Sequence, residues 1–233
     1  MPFKNRTEAG RQLAGALSRY KGRDVVVLAL PRGGVPVAAE VAEALGAQLD
    51  LVLVRKIGAP GNVELAMGAI AEAGGEPITV RNEDVIRILN VSDHEFQAVR
   101  DDQLKELERR RRAYLADRPS PDLTGRIAIV VDDGVATGAT TRAALRAARR
   151  RGPEKVVLAT PVAPTDVLPD LRSEADDVVC LEDYSDFGAI GFYYRNFNQL
   201  SDQDVVDLLA RFPPPAPPAP PAAQKPAPSQ TSG

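Results

Sequence analysis

The stretch RIAIVVDDGVATGATTRAALRAARR, Arg126 to Arg150, joins an apolar run to two adjacent carboxylates, a loop of small residues and an Ala- and Arg-rich helical pattern. Ile127–Val131 is short, β-branched and apolar throughout, as expected of a strand covered on both faces. Asp132 and Asp133 stand at its carboxyl end, where open parallel sheets bind ligands. Two like charges about 5 Å apart raise the free energy unless a cation or hydrogen-bond donors answer them. The loop Gly134–Thr140 leads straight into a helix, whose free amides and dipole favour an anion. Thr137, Thr140 and Thr141 add hydroxyl donors. The combination reads as a phosphate cradle beside two acids, with the acids facing ribose hydroxyls, a divalent cation or both.

Outward from this stretch the pattern alternates between strand and helix. Thr7–Tyr20 carries Ala9, Leu13, Ala16 and Leu17 at helical spacing. Asp24–Leu30 is a buried strand, Val35–Ala47 a helix ending near Gly46, and Leu49–Lys56 a second buried strand. The segment 82–117 is polar and helical, with Ser92 and Glu95 spaced as a capping box. A helix over Thr140–Arg151, a strand over Lys155–Val162, a helix near Thr165–Arg172 and a strand over Asp177–Glu182 complete the series. The expected fold is α/β: an open, mostly parallel twisted sheet with helices on both faces, Rossmann-like in its layers. Residues 1–212 form that domain, with 82–117 as a helical insertion and 183–212 as a small hood and helix. From Pro213 the composition turns to Pro and Ala, with nine of the chain's 20 prolines, and residues 213–233 are expected to be disordered.

Composition narrows the function classes. At 233 residues, 44% hydrophobic and 26% charged, the chain is an ordinary globular one. A formal net charge of −3 gives no basic field for nucleic acid or anionic lipid. One cysteine, no apolar leader and no long apolar span point to a soluble cytoplasmic protein without disulfides. His94 reads as surface, Cys180 as core packing and Glu108–Arg112 as a solvated helix face. Gly138 is followed by Ala139, so the loop is not a Walker A motif, and its glycine spacing is not a dinucleotide fingerprint.

VVDDGVATGAT resembles the phosphoribosyl diphosphate (PRPP) signature of type I phosphoribosyltransferases, hydrophobic residues before D-D-x-x-x-T-G-x-T. The resemblance implies that Asp132 and Asp133 bind the ribose hydroxyls and, through water, Mg²⁺. It implies that Gly134, Val135, Ala136, Thr137, Gly138, Ala139 and Thr140 hold the 5′-phosphate. Arg32, Gly33 and Gly34, after the first buried strand, are similar to the family's diphosphate loop. Arg55 and Lys56, followed by a Gly/Pro-rich stretch, are similar to its flexible catalytic loop, which closes over the ligand. Phe192, Tyr193, Tyr194 and Phe197 are candidates for stacking on the base, with an aromatic mini-core as the competing role. The segment 82–117 has no counterpart in the family core and is expected to be a flap or a contact between copies, as in a homodimer.

Ala136 occupies the position where members acting on 6-oxopurines place an Asp, which argues against hypoxanthine or guanine; Glu64 lies near the place of the adenine-type loop glutamate without aligning cleanly. The implied reaction moves the 5-phosphoribosyl group from PRPP to a nitrogenous base. A non-catalytic PRPP- or nucleotide-binding regulator on the same fold, and a hydrolase using the two acids as metal ligands, are the alternatives.

Overall fold

A computed structural model of the chain describes residues 2–214. Residues 215–233, most of the Pro/Ala-rich tail, lie outside them. Five parallel strands form the main sheet: β1 (Val25–Ala29), β2 (Gln48–Leu51), β6 (Ile127–Val131), β7 (Lys155–Pro164) and β8 (Asp177–Tyr184), in the order β2-β1-β6-β7-β8. The expected α/β architecture is the one observed. Every residue of β1 and β6 is buried, and alternate side chains enter opposite clusters with the strand period of two. Val25, Val27 and Ala29 of β1 and Ile127, Ile129 and Val131 of β6 join one apolar cluster, with helices α1 (Arg6–Ala16) and α2 (Gly34–Leu45). Val26, Leu28, Ala128 and Val130 join the other, with α5 (Ala139–Arg149) and α6 (Leu168–Glu174). Both faces are therefore covered, as the unbroken apolar runs require.

The structure departs from the expected single strand over Leu49–Lys56. That run divides at Val52, whose amide still donates to the Ala29 carbonyl (2.9 Å). Beyond it, β3 (Leu53–Ala59) turns away and pairs antiparallel with β4 (Asn62–Glu72), which in turn pairs with β5 (Ile78–Arg81). A continuous apolar run does not reveal which residue changes sheet, because the alternation is the same in both. The Gly/Pro-rich stretch after Lys56 is thus largely a hairpin, and residues 53–81 build a small antiparallel sheet.

The segment 82–117 contains α3 (Glu83–Ile88) and α4 (Asp93–Leu115), the latter opened by the Ser92–Glu95 capping box. Gly46 closes α2 at φ +65°, the left-handed value favourable to glycine. The short helix α7 (Asp202–Ala210) ends the described fold. The N-terminal segment returns to the C-terminal one: the Phe3 amide donates to the Tyr193 carbonyl (2.8 Å) and the Arg195 amide to the Phe3 carbonyl (2.8 Å). Among the described residues no helix is long and apolar enough to cross a membrane.

Candidate active site

Two strand exits meet. After β1 the chain runs Leu30-Pro31-Arg32-Gly33 into α2, with a cis peptide between Pro31 and Arg32. The Leu30 amide donates to the Val131 carbonyl at the end of β6 (2.9 Å), tying the exits together. A Cβ on Gly33 would lie 2.1 Å from Asp133 Oδ2, and one on Gly34 would lie 2.7 Å from the Val131 carbonyl oxygen. Both glycines are thus demanded by the approach of one loop to the other, a reason separate from phosphate binding.

The acidic pair finds its cation at the far end of the sequence. Arg6, the first residue of α1, holds Asp133 Oδ2 through Nε at 2.7 Å, and both side chains are about nine-tenths buried. Its guanidinium lies 3.8 Å from the Phe197 ring centroid and donates from Nη1 to the Asn198 carbonyl (2.8 Å). Cation–π contact and ion pairing reinforce one another where water is excluded. Asp132 Oδ1 accepts from the Asp133 amide (2.9 Å). Burial first, and then the neighbouring Asp133 charge, push the Asp132 carboxyl well above the usual carboxylate range. One oxygen of each acid is thereby oriented by protein donors. Both acids line a cavity of about 420 Å³ with Arg6, Arg32, Gly33 and Phe197, and with Gln199 and Leu200 at its far wall.

Arg32, half-exposed, faces Asp202 at 3.7 Å, and Asp202 also accepts from the Tyr114 hydroxyl (2.6 Å). The pair is long enough for a ligand phosphate to compete for the guanidinium. Along Gly134–Thr140 the Val135 amide is spent on the Val162 carbonyl (2.9 Å), and Val135, Gly134 and Gly138 are buried. Gly138 caps α5 at φ +73°, and no side chain makes a capping hydrogen bond to the helix end. Among the described residues the amides of Thr137, Gly138, Ala139 and Thr140 meet no protein acceptor, and Ala136, Thr137 and Thr140 are exposed. Backbone and hydroxyl donors gathered at a helix N-terminus suit a phosphate.

The remaining expected residues fare differently. Arg55 and Lys56 lie within β3 rather than at a strand exit. Arg55 donates twice to Gln103 Oε1 of α4 (3.0 and 2.8 Å) and borders, with exposed Lys56, a separate cavity of about 450 Å³. Tyr194 is buried against Phe3 (ring centroids 5.6 Å apart), and its hydroxyl donates to the Asp133 carbonyl (2.5 Å). A ring so enclosed props the acidic turn and offers no face to a base. Tyr193 stacks on Phe187 at 4.8 Å, while Phe192 is 77% exposed outside the cavity. Of the aromatic group Phe197 alone reaches the acids' cavity. Glu64 lies in β4, and its side chain is outside the described part of the molecule.

Arg6, Gln199, Leu200 and Asp202 carry no motif. Arg6 did carry a signal: a guanidinium in the first turn of a helix opposes the dipole and needs a carboxylate from elsewhere.

Known proteins resemble this chain across the same elements. The phosphoribosyl transferase domain family matches residues 3–195. Two curated Mycobacterium tuberculosis proteins, from strains CDC 1551 / Oshkosh and ATCC 25618 / H37Rv, are 50% identical over 209 residues; their names assign them provisionally to the phosphoribosyl transferases. The match covers 90% of this chain and 46% of each relative, so the chain spans about half their length. The crystal structure of TT1426 from Thermus thermophilus is 43% identical, covers 91% of this chain and all of its own, and superposes with a TM-score of 0.73. With a domain match over most of its length and this fold around the two acids, the chain belongs to the phosphoribosyltransferase family.

Proposed function

We propose that the chain binds PRPP and transfers its 5-phosphoribosyl group to a nitrogenous base, releasing diphosphate. The observation that carries this reading is the packing of Gly33 and Gly34 onto Asp132 and Asp133 beside an uncapped helix N-terminus. Sugar hydroxyls would be accepted by the two acids, the 5′-phosphate by Ala136 to Thr140, and the diphosphate by the Arg32 guanidinium and the amides of Arg32 and Gly33, the Gly34 amide being spent on the Leu30 carbonyl (3.0 Å). Breaking the ribose C1–oxygen bond while a base nitrogen adds at C1 gives an oxocarbenium-like transition state. Catalysis then rests on positioning and on charge stabilisation of the leaving group, with no protein nucleophile.

Mg²⁺ fits the donor set. Among the described residues no three His, Cys, Asp or Glu side chains gather to cage a metal. Mg²⁺ keeps several waters and takes its other oxygens from ligand phosphates, so two carboxylates beside a diphosphate site suffice. When bound it would neutralise diphosphate charge. Arg6 has a defined part: its Nε bond to Asp133 Oδ2 aims that carboxylate and leaves the second oxygen as hydroxyl acceptor.

For the acceptor, Phe197, Gln199 and Leu200 form the wall left once the ribose and diphosphate regions are assigned, so a planar base would lie there. The test is incubation with PRPP, Mg²⁺ and a panel of bases, scored by diphosphate release and titration calorimetry. Turnover on one base with saturable PRPP binding is expected. Tight PRPP binding without turnover on any base would instead make the chain a regulator on this fold. Failure to bind PRPP, with hydrolysis of simple phosphate esters, would overturn the assignment.

A further inference from the structure

A cavity of about 600 Å³, larger than that at the acids, lies between the last residue of β4 and helix α4. Its polar floor is Glu72, which is 8% exposed and accepts no hydrogen bond among the described residues. The nearest cation, Arg111 Nε, stands 4.0 Å away, on a side chain that is itself 41% exposed. Behind Glu72, Asp50 is fully buried, and neither of its carboxylate oxygens has a donor in hydrogen-bonding geometry. Arg118 gives these acids no hydrogen bond: its Nη1 and Nη2 are spent on the Leu209 and Leu49 carbonyls (3.3 and 3.0 Å), and its buried Nε has no acceptor. Burial pushes the Glu72 and Asp50 carboxyls upward, and the charge of Asp50 adds to the effect on Glu72. The nearby Leu51 amide, the Ser120 hydroxyl and the charges of Arg118 and Arg151 offset the effect on Asp50 only in part.

Buried carboxylates without donors are costly, and natural folds rarely keep them unanswered. The proposed transferase chemistry uses neither acid. Exposed Glu76 and Glu108 also border the opening, so acids outnumber the guanidiniums in the wall. Leu104, Leu107 and Leu115 supply an apolar side. An anion would meet the wrong sign. A metal ion would lack ligands, since the described residues offer no group of three. An alkyl ammonium brings three compact donors to a buried carboxylate, and its methylenes suit the leucines.

We propose that this cavity is a binding site for a linear aliphatic polyamine, one ammonium seated on Glu72 and a second at the acidic rim. The site is independent of the PRPP reading, because it shares no residue with the strand exits.

The probes are putrescine and spermidine, titrated calorimetrically into the full chain at about 150 mM salt to screen surface attraction. One saturable site per chain is expected. Glu72→Gln should weaken it about tenfold or more, the effect of losing a charge-assisted hydrogen bond. Glu154→Gln, on an exposed acid that pairs with Arg23 at 3.7 Å, should bind as the native chain does. Gly75→Phe serves if Glu72→Gln fails to fold: Gly75 borders the cavity and a Cβ there meets nothing within 4 Å, so the new ring can fill the opening. No saturable binding, or undiminished binding in Gly75→Phe or folded Glu72→Gln, or equal loss in Glu154→Gln, would overturn the proposal.

Discussion

The strand exits of β1 and β6 and the hairpin of β3 and β4 both carry arginines expected to touch a phosphorylated ligand, yet they are built on opposite principles. At the exits each side chain sits within a few residues of a strand end, and the sheet register alone brings Arg32 to Asp132 and Asp133. In the hairpin Arg55 lies mid-strand, and its place is set by Gln103, 48 residues later. The first arrangement is rigid and assembled before a ligand arrives. The second depends on whether the hairpin and α4 stay together. The contrast is open to attack at four points.

The largest effect belongs to Gly33→Ala. Its Cβ would fall 2.1 Å from Asp133 Oδ2, so either the carboxylate or the loop must move. Overpacking of this kind lowers stability by about 1–3 kcal/mol. A displacement near 1 Å of one loop against the other should lower PRPP affinity on the order of a hundredfold. Calorimetry beside urea unfolding separates the two losses, and near-native affinity would mean that the exits are not the site.

Arg6→Ala comes next. It leaves Asp133 charged and buried, and chain stability should fall by about 3 kcal/mol, measured by urea denaturation. Adding Asp133→Asn should recover part of that loss, because the double variant no longer strands a charge. Strict additivity of the two substitutions would show that the 2.7 Å pair is not energetically coupled.

What could be read from the sequence follows the same divide. Helix positions, the parallel strands other than 49–56 and the Ser92–Glu95 box rest on local pattern, and they match the structure. The loop and helix of the proposed phosphate site were legible for the same reason, since they are contiguous. Arg6 could not be found that way, because 127 residues separate it from Asp133 and only the return of the N-terminal segment to Tyr193 and Arg195 joins them. Tyr194 misled for a related reason. Aromatic composition does not say which face of a ring is covered, and here Phe3 covers it. The division of 49–56 between two sheets was equally invisible, because both halves share one alternation.

Asp132 offers a pH test of the exits. Its carboxyl is raised on folding by burial and by Asp133. An acid raised in this way favours the folded state most below the ordinary carboxylate range, and that contribution is lost as pH climbs through the raised value. Asp132→Asn removes the loss while its amide oxygen can still accept from the Asp133 N–H. The variant should therefore show a higher urea midpoint than the native chain at neutral pH, with the gap closing under acid conditions, and weaker PRPP binding throughout. A gap that widens in acid would contradict the assignment of the raised group.

Gln103→Ala has the smallest expected effect and sharpens the comparison most. Two hydrogen bonds from Arg55 end on one amide oxygen, so their removal should lower stability by about 1 kcal/mol. Ribose 5-phosphate, which lacks the diphosphate, should bind as before, because α4 does not border the acids' cavity. PRPP should behave differently if Arg55 meets its diphosphate only after leaving α4. Releasing the guanidinium in advance would then tighten PRPP by about fivefold, the equivalent of 1 kcal/mol. Equal behaviour of the two ligands would make Arg55 a brace between hairpin and α4, and would leave ligand binding to the strand exits without it.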